Sequence, residues 1–245
     1  MPATYGLIGY PLTHSFSPGY FAKKFAANKI DAAYNLFPLA DIQSFPQLLA
    51  ATEGLKGLNV TIPHKAAIMP FLSAIDPVAA AIGAVNCINI SEGVTTGYNT
   101  DASGFENSLH PLLKPHHDKA LVLGNGGASK AVIYTLKKLG IACTVVSRNA
   151  GEETLFYTDI TAETISENTL IINTTPLGMY PVVDEYPHIP YAAICSRHLL
   201  YDLIYNPEET RFLSLGKAKG AAIKNGLEML HLQAEASWDI WNAKE

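Results

Sequence analysis

Short apolar runs alternate with longer stretches of helical spacing along the whole chain. In the first hundred residues the strand-like runs are 5–8, 33–37, 57–62, 84–90 and, after a Glu92-Gly93 turn, 94–98. Helical stretches lie between them. One opens at Ser17-Pro18, with Ser17 as N-cap and Pro18 at the first helical position, where a missing N–H costs nothing. Another opens near Asp41, and a short third at Asp76-Pro77. Residues 99–114 read as a helix leading out of this half, and Pro111, Pro115 and the His116-His117 pair mark a loop. A second series begins at Lys119: strand 120–123, a glycine turn, helix 129–139 and strand 143–147. Further strands are expected at 170–173, 199–203 and 221–224. Residues 226–242 carry Leu227, Leu230, Ala234, Trp238 and Trp241 at helical spacing, with both tryptophans as packing residues. Strands alternating with helices predict an α/β fold with parallel sheets.

The 245 residues suit one to two domains at roughly 150 residues each. A chain of this length buries about three-quarters of its unfolded surface and needs no metal or disulfide staple. An apolar fraction of 48% against 16% charged residues excludes a disordered chain. The net charge is −5 and the longest basic feature is the pair Lys137-Lys138, so no nucleic-acid partner is expected. Apolar runs fall far short of the ~20 residues a membrane span needs, and no basic segment precedes an apolar stretch at the N-terminus. Cys87, Cys143 and Cys195 form no CxxC pair and leave an odd thiol, which suits a reducing compartment. A cytoplasmic location is therefore expected. No metal site is expected either: His110, His116 and His117 sit in a proline-containing link without a carboxylate set.

The glycine turn Gly124-Asn125-Gly126-Gly127-Ala128-Ser129 follows an apolar strand and opens a helix. A dinucleotide needs glycine there because the backbone turns tightly and comes close to a pyrophosphate, which the helix N-terminus then holds. Ser129 replaces the third glycine of GxGxxG and is small enough for helix–strand contact. The next strand ends in Ser147-Arg148-Asn149, with no carboxylate for a ribose diol and an arginine for a 2′-phosphate. This points to NADP over NAD, although Glu152 and Glu153 follow closely and would repel a phosphate they faced.

In the first half, Asn59-Val60-Thr61-Ile62-Pro63-His64-Lys65 ends an apolar strand in polar side chains, and ligands of open α/β sheets bind beyond strand carboxyl ends. Lys65 then falls at or near a helix start, where a cation opposes the helix dipole. By itself Lys65 reads more readily as a solvated surface lysine than as a functional one. Gly97-Tyr98-Asn99-Thr100-Asp101 leaves another strand the same way, and Asp101 and Thr100 could serve as helix caps. Ser15 and Ser17 add hydroxyls. The set suits a polyhydroxylated acid better than an apolar ligand.

Taken in order, these motifs resemble the shikimate dehydrogenase family. The resemblance rests on 9–18 with its His14-Ser15-Phe16-Ser17-Pro18 segment, the Asn59–Lys65 string, Gly83-Ala84-Val85-Asn86-Cys87-Ile88, Gly97–Asp101 with Gly104, and the glycine turn. Residues 172–179, the segment Tyr201-Asp202-Leu203-Ile204-Tyr205-Asn206-Pro207, and Asn225-Gly226-Leu227 with Met229, Leu230, Gln233 and Ala234 complete it. The resemblance implies an N-terminal α/β substrate domain (1–101 and 226–245), a Rossmann-type NADP-binding domain (102–225) and a C-terminal helix returning to the first domain. It implies NADPH-dependent reduction of 3-dehydroshikimate to shikimate, toward chorismate and the aromatic amino acids. Lys65 and Asp101 would be the catalytic pair. Ser15, Ser17, Asn59, Thr61, Asn86 and Gln233 would hold the substrate, with Tyr205 near the ring. Gly124, Asn125, Gly126, Gly127 and Ala128 would hold the pyrophosphate. Ser147, Arg148, Asn173, Thr174, Met179 and Gly226 would complete the cofactor site, Met179 near the nicotinamide. The partner is then a small-molecule substrate, for a monomer or homodimer. Family members often read Asn-Arg-Thr where this chain has Ser147-Arg148-Asn149, and the chain looks trimmed around 151–160. Two alternatives remain: a quinate or quinate/shikimate dehydrogenase using NAD, and a non-catalytic NADP-binding regulatory relative.

Overall fold

The computed structural model describes residues 2–13, 15–148 and 154–243. His14, Asn149, Glu152 and Glu153, and part of the segment that looks trimmed, lie outside the described residues. The chain divides into two compact units, one of residues 1–100 with 234–245, the other of residues 101–233. The second division falls inside the last helix rather than at 226, where the expected return segment began.

The first unit contains β1 (Ala3–Gly9), α1 (Ser17–Asn28), β2 (Ala32–Pro38), α2 (Phe45–Ala51), β3 (Leu55–Val60), β4 (Ala74–Ile75), α3 (Pro77–Ile82), β5 (Cys87–Ser91) and β6 (Val94–Tyr98). Its strands form one sheet in the order β2-β1-β3-β5-β6-β4. The expectation of purely parallel sheets is corrected here, because β5 runs antiparallel to both β3 and β6. The reason is local. Glu92 and Gly93 both have positive φ and close a two-residue hairpin, which joins only antiparallel strands. Tyr5 and Ile8 point to opposite faces of β1. Tyr5 lies with Phe21, Phe25 and Trp241 in one apolar cluster, while Ile8 lies with Phe45, Leu58 and Ile88 in another. Trp241 stacks on Tyr5 with ring centroids 4.8 Å apart and donates its indole N–H to Ile88 O at 3.0 Å. A Cβ on Gly57 would meet that indole at 2.2 Å, so only glycine admits the ring.

Two local expectations also change. Ser17 is not a cap but the first residue of α1; Phe16, already helical in φ and ψ, takes the cap position without a side-chain bond. Lys65 does not begin a helix, so the dipole argument does not apply to it. His64 N donates to Thr61 O and Ile68 N to His64 O, giving a run of turns that reaches only the short 3₁₀ segment Met69–Phe71. The short helix expected at Asp76-Pro77 is α3, and Asp76 caps it, accepting from Val78 N and Ala79 N.

The second unit takes in α4 (Thr100–Leu109) from its second residue, then β7 (Lys119–Leu123), α5 (Gly127–Lys138), β8 (Ala142–Ser147), β9 (Thr154–Phe156), α6 (Ala162–Glu167), β10 (Leu170–Asn173), β11 (Leu199–Asp202), α7 (Arg211–Lys217), β12 (Ala222–Lys224) and the first half of α8 (Leu227–Asn242). The helix expected over 99–114 ends at Leu109 and tightens into a 3₁₀ turn, because Pro111 has no N–H to continue it. All six strands are parallel, in the order β12-β11-β10-β7-β8-β9. This is the doubly wound order, with its switch point between β7 and β10. Both faces are covered, Val122 and Ile172 facing one apolar cluster and Leu121 and Ile171 the other. That burial on both sides is why these strands read as unbroken apolar runs.

Candidate active site

A cavity of about 500 Å³ opens at the carboxyl ends of the strands flanking the switch point. Gly124, Asn125 and Gly126 after β7, Ser147 and Arg148 at the end of β8, Thr174 to Leu177 after β10, and Tyr157 and Glu185 line it. Gly124 has φ +113°, and a Cβ there would meet Thr174 Oγ1 at 2.6 Å. Gly126 and Gly127 open onto empty space, and the α5 N-terminus carries no side-chain cap. Its first N–H groups are therefore available to an anion. Ser129 is fully buried and turns its hydroxyl back to Gly126 O at 2.6 Å. These features fit a dinucleotide: glycines where the backbone must come close, a helix N-terminus for the pyrophosphate and an exposed Arg148 at the end of β8.

The wall formed by 174–177 is tied down from below. Thr174 N and Oγ1 both donate to Leu123 O, at 2.9 and 2.8 Å. Asn173 Oδ1 accepts from Thr175 N and Oγ1, at 3.0 and 2.6 Å. Asn173 Nδ2 donates to Asp202 Oδ1 at 3.0 Å. Met179 is exposed, while Gly226 lies so close to Leu203 O that a Cβ would be 2.0 Å from it. Tyr205 is half-buried, which raises its phenol pKa. Asp101 is buried in the first turn of α4. Gln233 is buried and donates Nε2 to Leu230 O at 2.9 Å.

In the first unit the expected substrate residues Asn59 and Asn86 join a buried neutral network. Tyr34 Oη donates to Asn59 Oδ1 at 2.8 Å, and Asn59 Nδ2 donates to Ser237 Oγ at 2.9 Å and Asn86 O at 3.3 Å. Asn86 Nδ2 donates to Thr100 Oγ1 at 3.0 Å, while Thr100 N donates to Asn86 Oδ1 at 2.7 Å. Ser17 also bonds to Tyr34, whose phenol pKa burial drives far up. Both N–H groups of the Asn59 amide are thus engaged by the protein. Thr61 and Lys65 are half-buried beyond the end of β3, and Ser15 donates its hydroxyl to Leu12 O at 3.0 Å. Lys65 is anchored through its own carbonyl, which accepts from Val85 N at 2.7 Å.

Several contributors have no signal in the sequence: Tyr34 and Ser237 in this network, Tyr157 and Glu185 in the cavity lining, and Thr210 against Asp202. Thr175 lies within the 172–179 motif without a role. Asp202 stood inside a quoted motif without a role. An apolar run ending on an unpaired carboxylate is the signal that could have singled it out.

The fold and the cavity define a dinucleotide-binding α/β protein with a second α/β unit that buries a network of amides and hydroxyls. A model of the shikimate dehydrogenase substrate binding domain matches residues 7–88. The NADP(+) shikimate dehydrogenase of Clostridium beijerinckii is 41% identical over 247 residues, spanning 97% of this chain and 91% of the relative. The crystal structure of Thermus thermophilus shikimate 5-dehydrogenase, in complex with NADP(H) and shikimate, aligns with a TM-score of 0.87 at 30% identity, covering 98% of this chain and 93% of that one. Quinate dehydrogenase from Corynebacterium glutamicum, in complex with NAD, aligns with a TM-score of 0.89 at 28% identity, covering 100% of this chain and 95% of that one. The chain belongs to the shikimate dehydrogenase family.

Proposed function

We propose that this protein is an NADP-dependent shikimate dehydrogenase, an oxidoreductase that interconverts 3-dehydroshikimate and shikimate on the route to chorismate and the aromatic amino acids. The near full-length match to an NADP(+) shikimate dehydrogenase carries the reading. The switch-point cavity with Arg148 and no carboxylate at the end of β8 supports the cofactor. Residues 1–101 with 226–245 are assigned to the substrate and residues 102–225 to NADP.

Reduction of the ketone needs a hydride at carbon and a proton at oxygen. NADPH, when bound, supplies the hydride. Lys65, as ammonium, stabilises the developing alkoxide and gives it a proton. Asp101, as carboxylate, takes a hydrogen bond from the substrate hydroxyl and orients it. Ser15, Ser17, Thr61, Asn86 and Gln233 are assigned to the substrate's carboxylate and hydroxyls, with Tyr205 at its ring. Asn59 is assigned to the same pocket and acts by holding its floor, because its amide N–H groups are spent on Ser237 and Asn86. The α5 N-terminus and the glycine turn hold the pyrophosphate, Arg148 the 2′-phosphate, and Ser147, Asn173, Thr174, Met179 and Gly226 complete the cofactor site. No helix among the described residues is long and apolar enough to cross a membrane. A cytoplasmic monomer or homodimer without nucleic-acid partners completes the reading.

The test follows nicotinamide absorbance with shikimate or quinate as donor and NADP+ or NAD+ as acceptor. Rapid NADP+ reduction with shikimate is expected. Turnover mainly with quinate or NAD+ would move the protein to the quinate branch. Cofactor binding without turnover of either donor would make it a non-catalytic relative.

A further inference from the structure

Asp202 sits at the end of β11 with no exposed surface. Its Oδ1 accepts from Asn173 Nδ2 and from Ile204 N, each at 3.0 Å, and its Oδ2 accepts from Thr210 Oγ1 at 2.6 Å. Every partner is a neutral donor, and no ion pair to Asp202 occurs among the described residues. Burying a carboxylate without a cation is costly, and a neutral side chain would serve stability better. The position of the charge explains its presence. Asn173 spends its amide N–H on Asp202 and its amide oxygen on Thr175, and Thr175 lines the nucleotide cavity. The chain of bonds therefore runs from the carboxylate to the cavity wall and fixes the orientation of the Asn173 amide on the way.

We propose that Asp202 is a positioning residue for the cofactor, holding Asn173 and through it the 174–177 wall of the cavity. This rests on reading that cavity as the NADP site. Asp202 itself does not line the cavity, so it acts through Asn173 and not by contact.

The charge state of this anchor is sensitive to pH. Burial raises the Asp202 carboxyl to about 7, against the downward pull of Thr210, Ile204 and Asn173. The titratable group that faces it among the described residues is Tyr191, whose phenol burial keeps neutral far above that pH. A proton added to Asp202 goes to Oδ2, since Oδ1 already faces two N–H donors. The Thr210 hydroxyl must then turn its own proton away, and Asn173 is left on a neutral, weaker acceptor. Cofactor affinity should fall as the pH drops through this range.

The experiment titrates NADP+ into the full chain from pH 6 to pH 9, by calorimetry, for wild type, Asp202→Asn, Thr210→Val and Thr210→Ser. Asp202→Asn should weaken NADP+ by about 10-fold, the lower end for loss of a group that orients a binding side chain, while the shikimate KM stays within about twofold. Thr210→Val removes a bond to the ionised carboxylate, so its pH midpoint for NADP+ affinity should move upward, and Thr210→Ser should restore it. The cofactor's own phosphate titration is common to all four proteins and cancels. A folded Asp202→Asn that binds NADP+ like wild type overturns the proposal. If that variant does not fold, a Thr210→Val profile superimposable on wild type overturns it. Failure of wild type itself to bind NADP+ instead overturns the cofactor reading on which the proposal rests.

Discussion

A buried polar network in the first unit and another in the second differ in charge. The network of Tyr34, Asn59, Asn86, Thr100 and Ser237 in the first unit is neutral throughout. The network of Asp202, Asn173, Thr175 and Thr210 in the second is anchored on a carboxylate. Amides and hydroxyls can donate and accept at once, so the first network closes on itself and does not respond to pH near neutrality. A carboxylate only accepts, so the second draws Asn173, Ile204 and Thr210 onto one atom pair and loosens when that pair is protonated. The comparison teaches that rigidity alone is obtained with neutral groups. A buried charge without a cation marks a place where orientation matters more than stability.

The largest effect separates catalysis from either network. Lys65→Ala should lower kcat by at least about 10²-fold, the usual scale for lost general acid–base work, with the melting transition retained. An unchanged kcat in a steady-state assay would remove Lys65 from the mechanism. Next, Asn59→Ala should cost about 2–3 kcal/mol, because it removes one hydrogen-bond partner each from the buried Tyr34 hydroxyl, Ser237 and the Asn86 carbonyl. Urea unfolding should show the same loss at pH 6 and pH 8. A strong pH dependence there would break the contrast drawn above.

The third prediction concerns the sign of the Asp202 contribution. An unfolded aspartate titrates near 3.9, whereas folded Asp202 titrates at about 7. The folded state therefore holds this proton more tightly. The resulting stability is fully present below about pH 4 and is lost as the pH rises through about 7. Relative to Asp202→Asn, wild type should gain on the order of 2 kcal/mol as the pH falls from 8 to 5, read from paired denaturant curves. A gap that does not change would show that Asp202 is already charged at pH 5. The smallest effect is at Tyr157, whose hydroxyl is buried without a hydrogen-bond partner among the described residues. Tyr157→Phe removes that orphan and should leave stability unchanged or raise it by up to about 1 kcal/mol, measured by thermal melting.

Legibility in the sequence followed how local each cause is. Most of the parallel strands of the second unit were legible because burial on both faces leaves continuous apolar runs such as 170–172. The glycine turn was legible because tight backbone geometry admits few residue types. The short elements β4, β9, α6 and α7 were not, since none is longer than seven residues and periodicity needs more than that to show. The start of α1 was misplaced by one residue. Ser-Pro is a good cap signal, but Phe16 already has helical φ and ψ, and Ser17 turns its hydroxyl to Tyr34 instead.

The sequence by itself determined the alternation of strands and helices, the glycine turn, the arginine at the end of β8 and the motif order that marks the family. All of these are written in neighbouring residues, where spacing, backbone freedom and side-chain chemistry act within a few positions. Only the tertiary structure decided that Asn59 is held by Tyr34 and Ser237, or that Asp202 reaches Thr175 through Asn173. It also decided the antiparallel run of β5 and the turns around Lys65. Asn59 and Ser237 are 178 positions apart in the chain. Burial removes water as the alternative partner for such groups, and which protein group replaces it depends on how the elements pack.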